Sequence, residues 1–284
     1  MASTFRVTHD QWLAVRHSLE HTSERFARLA EQVPDTRRTA VDQWSVADTV
    51  AHVTGIAEMY TSLVRAEARR PAGVVAELVP ATTVDTVDRL NDAMLEGIPD
   101  RRIGALTERL RAAVGTVLQT AADADPDRPV PWIGGARVPV AGLLAHLINE
   151  LLIHGWDIAR AARLPWTVPP RDAAAFFELF MVGMTRNGLG RFLDSDEPPR
   201  HGRIAVEFRS RYTTPATIVL QDGRATVEEP GPGADVRIFF DPATFNLMLF
   251  DRIGKARAVL SGKVVVRGRR PWLLPAFLRV VRTP

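Results

Sequence analysis

Cysteine is absent from the 284 residues, which excludes disulfides, thiolate metal ligands and a cysteine nucleophile. If thiol chemistry happens in this protein, the thiol must arrive as a cosubstrate. There is no apolar run of about 18 residues, and Met1-Ala2-Ser3-Thr4-Phe5-Arg6 carries no apolar segment of a secretory signal. These absences argue against a membrane partner and predict a cytoplasmic protein. Asp and Glu are missing from Arg252 onward, where only Arg and Lys supply charge. That basic end reads as a solvated face. It lacks interleaved aromatics or a reading helix, so nucleic-acid binding ranks last among the functions considered. What remains is ordinary globular composition, 46% hydrophobic and 24% charged with a net charge of +3, at a length that suggests about two domains.

The chemistry concentrates in the stretch from Ala145 to Ala159. Read as a helix, it places Glu150 and His154 one turn apart on one face, beside an apolar stripe of Leu147, Leu151 and Ile158. Two such groups on a core-facing stripe are costly to bury unless something binds them, and a metal ion is the obvious candidate. His146 lies another turn back. The three cannot share one ion, because eight residues of helix rise about 12 Å whereas Zn–N bonds are about 2.0–2.1 Å. The third ligand must come from elsewhere, and His52 is the best donor. It sits on a helix begun by Ser45 as N-cap, with Asp48 three residues on. His52, Glu150 and His154 then make the open two-histidine, one-glutamate set of a catalytic metal. The rival reading, satisfied core histidines with Glu150 paired to an arginine, suits a lone histidine better than this set. His146 reads as a wall of the cofactor pocket or a residue just behind the ligands, and Trp132, just before the helix, either walls that pocket or simply packs the helix end. For Asp157 two readings stand: an acceptor that orients a ligand histidine, or a partner of Arg160.

Along the chain, helical periodicity runs from Thr8 to about Val33, with Thr8 and Gln11 as a capping box. His17 and His21 on it read as solvent-exposed. Further helices are expected over about Val46–Ala68, which Pro71-Ala72-Gly73 breaks, and over about Asp100–Ala122. A less regular short helix is expected near Val84–Leu95, and Pro139 begins the helix that bears Glu150. Four long helices suffice for a bundle, whose core is a usual place for metal sites. Pro165–Pro170 reads as a hinge, followed by a helix from Arg171 to about Gly188. Beyond Gly202 the period changes. Ile204, Val206 and Phe208 alternate as a half-buried strand, Asp222-Gly223 turns a hairpin, and strands follow at Ala234–Phe240 and Lys263–Val266. Helices are expected from Asp241-Pro242 and Pro271, giving an α+β domain with a mixed or antiparallel sheet.

Trp44-Ser45-Val46 leading to His52, together with Glu150-Leu151-Leu152-Ile153-His154-Gly155-Trp156-Asp157, resembles the mycothiol-dependent maleylpyruvate isomerase family, one of the DinB/YfiT-like metal-binding helix bundles. Ala234-Asp235-Val236, Asp241-Pro242-Ala243-Thr244 and Gly262-Lys263-Val264-Val265-Val266-Arg267-Gly268 are similar to the sterol-carrier-protein-like domain that many members carry. The resemblance implies a DinB-like four-helix bundle over residues 1–165, a connecting helix and linker over 166–200, and a sterol-carrier-protein-like α+β domain over 201–284. It implies a divalent metal, usually zinc, on His52, Glu150 and His154, and mycothiol as thiol cosubstrate. The enzyme expected is a mycothiol-dependent isomerase, maleylpyruvate isomerase-like, or a mycothiol S-transferase acting on an electrophilic, anionic small molecule. The cation for such a substrate is sought in the C-terminal domain at Arg203, Arg209 or Arg237, with Arg209 first. Arg209 and Asp157 are therefore the catalytic candidates beyond the metal. The spacing leaves zinc, iron and nickel open, as it does monomer or homodimer.

Two other functions fit the residues. A metal-dependent hydrolase could use the same open site, although no further carboxylate base stands beside the ligands; Glu58 is off the His52 face. A small-molecule or lipid carrier could line a cavity with Phe239, Phe240, Phe245 and Leu249.

Overall fold

The computed structural model describes residues 6–65, 74–194 and 201–281. The expected break at Pro71-Ala72-Gly73 lies outside these residues. Helix α1 (His9–Glu31) starts at Thr8, which forms the expected capping box with Gln11. A short antiparallel pair, β1 (Thr39–Val41) and β2 (Trp44–Ser45), leads into α2 (Val46–Val64). The Ser45 hydroxyl caps the Asp48 N–H and the Asp48 carboxylate accepts from the Ser45 N–H, which fixes where the His52 helix begins. Helices α3 (Val74–Ala81) and α4 (Val87–Glu96) follow, then α5 (Ile103–Ala121). A second small pair that periodicity did not reveal, β3 (Pro129–Pro131) and β4 (Arg137–Pro139), precedes α6 (Val140–Ala162). The four long helices pack pairwise, α1 and α2 each against both α5 and α6. No helix among the described residues is long and apolar enough to cross a membrane.

Helix α6 is buried around most of its circumference, not along a single stripe. Leu143, Leu144, Leu147, Ile148, Leu151 and Leu152 are all fully buried, because α1, α2 and the segment after residue 170 all lie on it. Each such side chain is worth roughly 1.5–3 kcal/mol of transfer free energy. The proline-rich segment expected as a hinge folds back onto this helix. The Trp166 indole donates to the Leu152 carbonyl and fills the space over Gly155, where a Cβ would stand 2.3 Å from the ring.

Helix α7 (Pro170–Ala175), a π-helical stretch over Phe176–Met181 and α8 (Val182–Asn187) then run on. Phe176 belongs to the helical core and Phe177 to that of the sheet. The sheet comprises β5 (Arg203–Arg209), β6 (Ala216–Gln221), β7 (Arg224–Glu228), β8 (Val236–Phe240) and β9 (Val264–Gly268), in the order β7-β6-β5-β8-β9. It is mixed, since β5 and β8 are parallel and the other pairs antiparallel. Asp222 and Gly223, both at positive φ (49° and 80°), turn the β6–β7 hairpin as expected. Helices α9 (Pro242–Leu249), α10 (Lys255–Leu260) and α11 (Leu274–Leu278) complete the chain; α10 was not foreseen.

Strand β5 corrects one expectation. Its alternation suggested one wet face, but it is the central strand, and Ala205 and Glu207 on the second face are as buried as Ile204 and Val206. Glu207 is matched by ion pairs to Arg209 and Arg237 and by the Gly231 N–H. Phe240 and Phe245 stack 4.6 Å apart within the sheet core, while Phe239 points to the opposite face and is 38% exposed, so these rings do not line a common cavity.

The two cores are joined by a buried clasp. The Asn246 amide on α9 donates to Asn149 Oδ1 on α6 (2.9 Å) and to the Ala173 carbonyl (3.0 Å). Asn246→Ala leaves both acceptors dry, and a loss of roughly 1–3 kcal/mol is expected in urea unfolding.

Candidate metal centre

Local capping sets α2, and burial sets α6, so that His52 faces Glu150 and His154 across the helix interface. The His52 and His154 Nε2 atoms each stand 3.4 Å from Glu150 Oε2. One ligand atom from each of the three residues lies within 4.8 Å of the others, the one such group of three among the described residues. All three are at most 9% exposed. Burial lowers the His52 pKa and keeps its imidazole neutral, with a lone pair to give. Burial opposes charge on Glu150 as well, but hydrogen bonds from His154 and His52 outweigh it and hold the carboxyl well below its usual range. For His154 burial again acts downward, yet the Asp157 and Glu150 carboxylates overcome it and push the group up to about 9. The Glu150 and Asp157 carboxylates are thus matched by His154 and Arg252, and a metal bound here would have to displace the His154 proton.

Of the other candidate residues, Asp157, His146 and Trp132 lie beside it and Arg209 does not. Asp157 Oδ2 stands 3.2 Å from His154 Nδ1, and no ion pair joins it to Arg160. It is itself gripped by Arg252, whose Nε and Nη2 donate to its two oxygens at 3.0 and 2.7 Å. His146 and Trp132 belong to one buried chain: the Trp132 indole donates to the Tyr60 hydroxyl, which lies 3.0 Å from His146 Nδ1. The Tyr60 hydroxyl accepts the indole hydrogen, and on its other side His146 Nε2 stands 3.6 Å from Glu150 Oε1. Burial keeps His146 neutral and pushes the Tyr60 phenol up.

Trp44, which entered only as a flanking residue, covers the site, with its ring 4.7 Å from His52 and 6.3 Å from His154. Arg209 is elsewhere. It lies on β5 with its guanidinium on Glu207, and the residues lining the cleft over the three ligands include Arg252 and not Arg209. Glu58 is held outside by Arg109, and His17 and His21 stack on the exposed face of α1. Two contributors escaped the sequence reading. Tyr60 repeats the His52 face at four-residue steps through Ile56, a signal that was there to use. Arg252 reaches across 95 residues and has no local signal.

The cleft above the ligands has a volume of about 780 Å³, enough for two small molecules at once. No curated protein matches the chain. Among the solved structures similar to it are two that cover 89% of this chain, with 91% of the other covered in each case. An alanine variant of the mycothiol-dependent maleylpyruvate isomerase aligns at TM-score 0.50 and 13% identity, and that isomerase itself at 0.48 and 12%. The first likeness shows a shared fold, a helical region followed by a sheet-containing one. Residues 19–159, which hold all three candidate ligands, match the family described as the mycothiol maleylpyruvate isomerase N-terminal domain, and through them the chain belongs to that family.

Proposed function

We propose that this protein is an enzyme that uses a divalent ion on His52, Glu150 and His154 to activate mycothiol for attack on an electrophilic small molecule, as an isomerase or an S-transferase. The observation that carries the reading is the pair of 3.4 Å separations between Glu150 Oε2 and the two imidazole nitrogens. Two ligands about 2.0–2.1 Å from a tetrahedral centre stand about 3.3–3.4 Å apart, whereas a hydrogen bond of that length is weak. The donors therefore suit a shared cation better than they suit one another, and two imidazoles with one carboxylate favour zinc.

Such an ion, when bound, would hold a thiol in its nucleophilic thiolate form near neutral pH and act as a template for both reactants. The chain's own residues prepare the site. Asp157 holds His154 in the tautomer whose Nε2 lone pair faces inward. Trp44, against His52, and Trp132, against His146, line the cleft. Sulfur adding to a cis alkene leaves a rotatable single bond. Loss of the same thiol after rotation gives the trans alkene, and release of the adduct without that loss gives a transferase. The helical metal-binding bundle would end near residue 165 and a sterol-carrier-protein-like unit begin near 201, a division supported by the two separate cores. A reducing cytoplasm would supply the thiol.

Cobalt-substituted protein mixed with mycothiol is expected to show a sulfur-to-cobalt charge-transfer band. Metal retention without that band would turn the reading toward hydrolysis.

A further inference from the structure

Building on the proposed thiol chemistry, we propose that the electrophile taken by this cleft is an uncharged apolar or aromatic molecule, not a dicarboxylate. The charges around the cleft are of the wrong sign for an anion. Asp42, Asp88 and Asp92 are exposed at its mouth, on the β1–β2 turn and on α4. Apart from histidines, the one basic side chain among the described lining residues is Arg252. All three of its nitrogens are already used: Nε and Nη2 on Asp157, and Nη1 on the Phe250 carbonyl at 2.6 Å. The arginines that sequence reasoning offered for an anionic substrate are committed on the sheet, Arg203 to Glu228 and both Arg209 and Arg237 to Glu207. A dianion would enter past three carboxylates and, among the described lining residues, meet no basic side chain that is not already paired.

Beside the polar His52, Tyr60, His146, Glu150 and His154, the cleft has an apolar wall. Ile56, Met59, Leu90 and Met94 line it, and Trp132 and Phe250 close it. Behind the His146, Trp132 and Phe250 rings the apolar surface continues into a small cavity of about 40 Å³, bordered by Phe176 and Phe180. Flat aromatic walls of this kind select by area and ring contact, which an uncharged ring or alkyl group supplies.

Calorimetric titration of the full chain with two unreactive probes, neutral N-phenylsuccinimide and dianionic succinate, tests the inference. Running it both with zinc and after chelation separates carboxylate ligation of the metal from recognition by the cleft. The expected result is N-phenylsuccinimide binding about tenfold tighter or more in both forms, with the gap narrowed in an Asp88→Lys/Asp92→Lys variant. Both positions are exposed, and circular dichroism verifies that the variant is folded. Succinate binding as tightly as the imide to chelated protein would overturn the proposal, as would a gap that charge reversal leaves unmoved. Selectivity without the cobalt–sulfur band would remove the thiol reading and keep the ligand class; the band without selectivity would do the reverse.

Discussion

Replacing Glu150 by glutamine is expected to strip the centre of its divalent ion and abolish thiol transfer while leaving the fold in place. The amide matches the carboxyl in shape, so the packing of α6 is kept, but the negative charge that both imidazoles face at 3.4 Å is gone. Outer-sphere substitutions typically cost about 10–100-fold in metal affinity, and loss of an inner ligand should exceed that. Elemental analysis after dialysis against a mild chelator is the readout. Glu150→Gln protein that retains a full equivalent of metal would mean that the three residues are not the ligands. His154→Ala should show the same metal loss with an added cavity penalty, so the glutamine variant is the cleaner test.

The second large effect is expected at Arg252. Its partner Asp157 has a side chain only 3% exposed, and Arg252 itself is 20% exposed. Truncation to methionine leaves a buried carboxylate with His154 as its remaining partner, and breaking such a pair typically costs about 3–5 kcal/mol. The freed Asp157 would also orient His154 less firmly, which lowers metal affinity by about 10–100-fold. Urea unfolding and competitive metal titration read the two effects separately. Arg209→Met is the matched control. It removes an arginine from another buried carboxylate, Glu207, but metal affinity should stay unchanged because Arg209 touches neither Asp157 nor the ligands. If the two variants bind metal equally well, Arg252 is only a structural clamp.

What could be read from the chain is what short spacings encode. Thr8 with Gln11 and Ser45 with Asp48 announce helix starts because the capping geometry is complete within four residues. Asp222-Gly223 announces its turn for the same reason, and the four-residue step from Glu150 to His154 places two donors on one helical face without knowledge of the rest. Strand order has no such local code. The alternation of Ile204, Val206 and Phe208 tells which side chains share a face, but not that a parallel neighbour on one edge and a hairpin on the other bury Glu207. Arg252 was hidden in the same way: it sits in a run of basic residues that looks like solvated surface, and only the docking of α9 beside α6 brings it to Asp157. The error over Arg209 and the oversight of Arg252 share one cause. An arginine's role depends on which carboxylate it meets, and that is a property of the tertiary fold.

The unequal surroundings of the two Glu150 oxygens bear on denticity. Oε2 stands 3.4 Å from the Nε2 atoms of His52 and His154, whereas Oε1 stands 3.6 Å from His146 Nε2, whose ring is held by Tyr60 and Trp132. A carboxylate so divided would offer a bound ion one oxygen while the other stays with His146. His146, Tyr60 and Trp132 would then act on the proposed chemistry by keeping half of the Glu150 carboxylate away from the ion, which would leave more room for the thiol and the electrophile.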